Sequence, residues 1–138
     1  MVFMVIPYYL VLGALWLLAL PFLFLLSCKS KYRHSIPARF FLWRNREFDR
    51  RDVWIHACSL GEVRSLKPLV EALGVSPSIS TITQTGYSAA KALSDYVRYL
   101  PFEVLLPFWV RRFKVVVVTE AELWLMLFFM AKAKGSKT

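Results

Sequence analysis

The chain has 138 residues, enough for one compact domain and little more, and carries a net charge of +9. Hydrophobic residues make up 57% and aromatic residues 16%, too apolar for an ordinary soluble domain, so a membrane segment is expected. Two cysteines, Cys28 and Cys58, are too few and too far apart for a disulfide framework or a zinc site.

Residues 1–26 contain no charged side chain, and the first charge is Lys29. Such a run reaches across a hydrocarbon core of about 30 Å, for which a helix needs roughly 20 residues. Pro7 and Pro21 fall towards its ends, and Tyr8, Tyr9 and Trp16 are aromatic residues of the kind that membrane helices carry. It lacks the basic start and the A-x-A site of a cleaved signal peptide. The sequence therefore predicts a transmembrane anchor over residues 1–27.

Eight cations follow in residues 29–51, against only Glu47 and Asp49. This block predicts an uncleaved anchor with its N-terminus outside and all later residues in the cytoplasm. Residues 28–51 read as a basic juxtamembrane linker, solvated or drawn to anionic lipid head groups. No nucleic-acid-binding motif accompanies the charge. His34 and His56 have no partner at metal spacing, so both read as structural and no metal is expected.

From residue 52 to 138 the pattern becomes α/β. Residues 53–58 read as a buried strand and 62–73 as an amphipathic helix stopped by Gly74. Residues 78–83 predict a second strand, 87–93 a helix, and 95–100 a third strand closed by Pro101. Residues 102–113 are irregular or helical, 115–118 an all-valine strand, and 121–134 a last helix stopped by Gly135. This alternation predicts a parallel sheet covered by helices on both faces. A helix ending in Gly135-Ser136-Lys137 normally leads into another strand, and residues 123–131 are apolar enough to require more protein against them. Both features suggest the first half of something larger.

A parallel sheet places all strand carboxyl ends on one rim, where ligands bind. The first strand brings Ser59, Gly61 and Glu62 there, the second Thr83, Gln84, Thr85 and Gly86, and the last Thr119, Glu120 and Glu122. Ser59-Leu60-Gly61-Glu62 fits the capping box S-x-x-E, as does Thr119-Glu120-Ala121-Glu122, and capping boxes are far commoner than catalytic glutamates. Yet Gly61 in a first helical turn costs up to about 1 kcal/mol against alanine, which points to a close approach of something to the backbone. The Thr-Gln-Thr-Gly turn at a helix start suits an anion, although Thr and Gly also serve simply as turn and cap residues.

Trp54-Ile55-His56-Ala57-Cys58-Ser59-Leu60-Gly61-Glu62-Val63-Arg64 resembles the W-I-H-A-x-S-x-G-E signature of the 3-deoxy-D-manno-octulosonic acid (Kdo) transferases of lipid A assembly. Thr83-Gln84-Thr85-Gly86 is similar to that family's T-x-T-G turn, Tyr99-Leu100-Pro101 to its Y-L-P, and Thr119-Glu120-Ala121-Glu122-Leu123-Trp124 to its E-T-E-L-W. After E-L the family has W-P-N where this chain has Trp124-Leu125-Met126.

The resemblance implies the Rossmann-like N-terminal, acceptor half of a two-domain GT-B glycosyltransferase, truncated before the domain that binds CMP-Kdo. It implies Glu62 as general base and Glu120 in the acceptor site, while Arg64 reads equally as facing a phosphate or sugar carboxylate or as a solvated helix arginine. Ser59, Gly61, Thr83, Thr85, Gly86 and Glu122 join the expected substrate-binding set. No cofactor beyond the donor CMP-Kdo is implied. The implied partners are a lipid A precursor and anionic membrane lipids, at the cytoplasmic face of a bacterial inner membrane. The competing reading is a non-catalytic, membrane-tethered module that keeps only the acceptor-side fold.

Overall fold

A computed structural model describes residues 2–49, 52–119 and 124–138, with side chains from Val5 onward. Four strands form one parallel sheet: β1 (Val53–His56), β2 (Ser78–Thr81), β3 (Val97–Tyr99) and β4 (Val115–Val118), in the order β3-β2-β1-β4. Trp54 lies opposite Ser78 on one side and Val116 on the other, which fixes the register of the central strand.

Alternation along β1 sends successive side chains to opposite layers. Ile55 joins Ile79, Val97, Val63 and Leu66 in one apolar cluster. Trp54 joins Phe48, Trp109, Phe113, Val116 and Leu127 in the other. The first layer is covered by α3 (Leu60–Ser65), α4 (Lys67–Leu73) and α5 (Gln84–Ala90). The second is covered by a 3-10 turn (Glu103–Leu105), α6 (Leu106–Trp109) and α7 (Leu125–Ala133).

The single helix expected over 62–73 is two. α3 ends at Ser65, Leu66 stands between the two, and α4 restarts with Pro68 in its first turn, where a missing N–H costs nothing. Gly74 then stops α4 in the left-handed conformation at φ 62°. The helix expected over 87–93 begins earlier, at Gln84, because Thr83 caps it. Residues 121–123 of the expected last helix lie outside the described residues, and the helix that follows is shorter at both bounds than the apolar pattern suggested. Its Met126, Leu127 and Ala131 are buried against α6 and the 3-10 turn, so part of the cover that the sequence demanded comes from within the chain. Beyond Gly135, Lys137 pairs in parallel with Val115 on the free edge of β4, where the expected next strand would start.

Residues 35–48, read from sequence within a linker, fold onto the sheet. α2 (Ser35–Phe40) ends beside β3, and Arg39 Nε donates to Leu100 O at 2.9 Å. Asn45 is buried, donates to Tyr99 O at 2.6 Å and accepts from Tyr99 N at 3.2 Å. Its amide acts as one rung of a further strand and satisfies an edge that would otherwise be left open. Phe48, 2% exposed, enters the core against Trp54, Trp109 and Phe113.

The N-terminal helix α1 (Val2–Ser27) is continuous and holds Pro7 and Pro21 within it. Residues Val5–Ser27 are long and apolar enough to cross a membrane, with a mean hydropathy of 2.4. One side of α1 rests on the domain. Val5 is part of the second core cluster, and Tyr8, Tyr9 and Leu12 pack against it.

Candidate functional site

The chain runs from β1 outward to β2 and β3, then returns to the opposite side of β1 as β4. The carboxyl ends of β1 and β4 therefore flank the switch point of the sheet, where an open α/β fold forms its crevice. Ser59 lies just past β1 and caps α3. Its Oγ accepts from Glu62 N at 3.3 Å, while Glu62 Oε1 accepts from Ser59 N at 3.1 Å. Glu62 Oε2 accepts a further bond from Cys58 N at 2.8 Å. The side chain is half-buried, and two of the roughly four acceptor positions of a carboxylate are taken.

The neighbouring corner is bound to this one. Thr81 and Thr83 both donate from Oγ1 to Cys58 O, at 3.1 and 3.4 Å, and Thr83 Oγ1 accepts from Gly86 N at 3.1 Å. A Cβ on Gly86 would lie 2.5 Å from Thr81 Oγ1 and 2.8 Å from Thr83 Oγ1, so only glycine lets α5 approach this closely. On the β4 side, Thr119 donates to His56 O from both its N and its Oγ1, each at 3.0 Å. Three strand ends are thus held together through the backbone of residues 56–59.

Beneath the rim runs a buried polar chain. Trp54 Nε1 donates to Ser80 Oγ at 2.8 Å, and that hydroxyl lies 2.8 Å from His56 Nδ1. His56 Nε2 is 3.3 Å from Cys58 Sγ, and the ring meets Trp124 edge-on at 5.7 Å. Burial lowers the imidazole pKa from 6.5 to about 4, an effect opposed by the Ser80 backbone and the Glu62 charge. His56 is therefore neutral at neutral pH and serves as a structural group.

On the outer side of α3 and α5 a cleft of about 650 Å³ opens. Arg64, Gln84, Thr85 and Ser88 line it, with Leu60 and Ala89 as its apolar part, and Ser30 and Lys31 close it from beyond the end of α1. Arg64, Thr85 and Lys31 are exposed. Gln84 Oε1 is buried with no hydrogen-bond partner among the described residues.

A sequence profile described as 3-Deoxy-D-manno-octulosonic-acid transferase (kdotransferase) matches residues 34–138. The chain belongs to the Kdo transferase family. It is also 37% identical over 123 residues to a 3-deoxy-D-manno-octulosonic acid transferase of Haemophilus influenzae, covering 78% of this chain. The match spans 28% of that relative's length. No solved structure matches the chain.

Within the Kdo transferase region, the rim residues read from sequence fall into two groups. Ser59, Glu62, Thr83 and Gly86 meet in the corner around Cys58, where their polar atoms bond mainly to one another and to the backbone. Gly86 N–H, expected to greet an anion, is taken by Thr83. Arg64 and Thr85 meet instead in the outer cleft. Gly61 is exposed, and a Cβ there would find only Ser59 Oγ, at 3.9 Å, so nothing within the described chain requires a glycine. Glu120 and Glu122 lie outside the described residues.

Ser30 and Lys31 were missed as cleft residues, because a basic stretch after an apolar helix reads as a topology signal. His34 is exposed at the N-cap of α2 without a side-chain cap bond, so of the two histidines only His56 is a core residue.

Proposed function

We infer that the chain is the acceptor side of a Kdo transferase of lipopolysaccharide synthesis, a CMP-Kdo-dependent glycosyltransferase of GT-B type. The acceptor is a lipid A precursor presented at the cytoplasmic face of the inner membrane, and CMP-Kdo binds a further domain of the longer protein. The observation that carries this reading is the position of Glu62. It stands half-exposed at the switch point, inside the region shared with the family, with acceptor capacity left after its capping bonds.

In the reaction, an acceptor hydroxyl gives its proton to the Glu62 carboxylate as its oxygen forms a bond to the anomeric carbon of Kdo. The bond from that carbon to the CMP phosphate breaks, and CMP leaves with the electron pair. Arg64 and Lys31 in the cleft supply positive charge for an anionic group of the acceptor, and Gln84 and Thr85 supply polar contacts. Ser59, Thr83 and Gly86 shape the corner that aims Glu62, and Gly61 leaves room for close approach of a ligand. Glu120 and Glu122 complete the acceptor site.

The test uses the full-length protein with its donor domain. Glu62→Gln is expected to lower kcat by about 10²- to 10⁴-fold, the usual worth of a positioned base, with little change in acceptor KM. Stability should fall by only about 1 kcal/mol, as for a lost cap. A variant that keeps kcat within about threefold would leave Glu62 as a cap and nothing more.

A further inference from the structure

We propose that α1 attaches the protein to the membrane lengthwise, lying along the bilayer interface with its N-terminus on the same side as the domain. The helix is held against the domain over most of its length. Near its start Val5 sits in the core, Tyr8 OH donates to Glu103 Oε2 at 2.8 Å, and Tyr9 OH donates to Val104 O at 2.7 Å. In its middle Gly13 faces Val104, and the Trp16 ring lies 5.2 Å from Phe40 of α2. Towards its end Leu20 and Phe24 share an apolar groove with Pro37 and Phe41.

At a rise of 1.5 Å per residue, Val5 to Phe24 spans about 28 Å, nearly the whole hydrocarbon thickness of about 30 Å. A helix standing across the bilayer with these contacts intact would carry α2, the 3-10 turn and the sheet behind them into the hydrocarbon. Glu103, which also accepts from Met126 N, and Arg39, bonded to Leu100 O, would go with them. Charged groups and sheet edges are not tolerated there. Laid along the interface, the same contacts cost nothing.

The opposite side of α1 has a large apolar surface to cover. Val11, Leu18 and Leu25, seven residues apart and on one azimuth, are 59%, 77% and 66% exposed. No residue before Lys29 is charged, so this face offers little to orient a protein partner by polar contacts. Lipid needs none.

The surroundings favour lipid as well. Exposed Lys29, Lys31, Arg33, Arg44 and Arg46 follow the helix, and Trp43, 70% exposed, projects among them. Aromatic and cationic side chains beside an apolar face are the pattern of an interfacial anchor on an anionic membrane. Because the inner face of α1 is apolar too, the helix alone looks like a membrane-crossing segment. Its polar side is the domain itself.

The full chain, bound to vesicles of phosphatidylethanolamine and phosphatidylglycerol, tests this. Nitroxides are placed singly at positions 11, 18 and 25 in a Cys28→Ser background, which leaves only the buried Cys58. Depth is read from collisions with oxygen and with a polar nickel chelate. The expected result is one shallow depth for all three positions, within about 4 Å, where a crossing helix would place position 18 about 10 Å deeper than its neighbours. A hydrophilic tag ahead of residue 1 should be cut by protease added outside, on the side of the domain. A deep centre at position 18, a protected tag, or failure to bind the vesicles would each overturn the proposal.

Discussion

Gly86→Ala perturbs the point where the β2–α5 turn meets the end of β1. The added methyl would stand 2.5 and 2.8 Å from two threonine hydroxyls, both inside any normal contact, and 3.5 Å from the Ser59 backbone. Thr81 and Thr83 cannot turn away freely, because both donate to Cys58 O and Thr81 is buried. Overpacking of this kind costs about 1–3 kcal/mol, and breaking the Thr81 bond adds about 1 kcal/mol. Alanine is better than glycine inside a helix by about 1 kcal/mol, which offsets part of this.

The net expectation is a loss of about 2 kcal/mol, or roughly 8 °C in Tm for a domain of this size. Thermal unfolding followed by circular dichroism would measure it. In a Thr81→Ala background the closest oxygen is gone, so the same substitution should cost about 1–2 kcal/mol less. Equal stability of Gly86→Ala and wild type, or an unchanged cost in the Thr81→Ala background, would refute the close-approach argument.

Acid should weaken the fold through His56. Its pKa is about 4 when folded and 6.5 otherwise, so between these values the unfolded chain binds the extra proton. The neutral imidazole's contribution is complete above about pH 6.5 and is lost as pH falls towards 4, about 3 kcal/mol in all. Urea titrations across this window should show the loss, and His56→Gln should flatten it. Asn45→Ala strips both backbone partners from Tyr99 at a buried edge, and a loss of about 2–4 kcal/mol is expected in the same assay. A loss below about 0.5 kcal/mol would mean that the Asn45 rung is dispensable to the edge of β3.

Period and punctuation in the sequence determined the parallel α/β order, the all-valine strand, the stop at Gly74 and the capping box at Ser59 and Glu62. These are local features: a strand alternates, a cap reaches three residues, and a left-handed stop wants glycine. The family motifs were legible for the same reason, since each is a short contiguous run around a strand end.

Pairing across distance was not legible. Nothing near Asn45 signals that its amide completes the edge of β3, 54 residues away, or that Phe48 belongs in the core. Arg64 and Thr85 read as rim residues like Ser59 and Thr83, yet helix rotation turns them to an outer cleft that Lys31 helps to close. The apolar run of α1 announced a membrane anchor but not that one of its sides rests on the domain, because hydropathy records how apolar a helix is and not which of its faces another element covers. That depends on Tyr8 meeting Glu103 across 95 residues, a contact that exists only once the chain has folded.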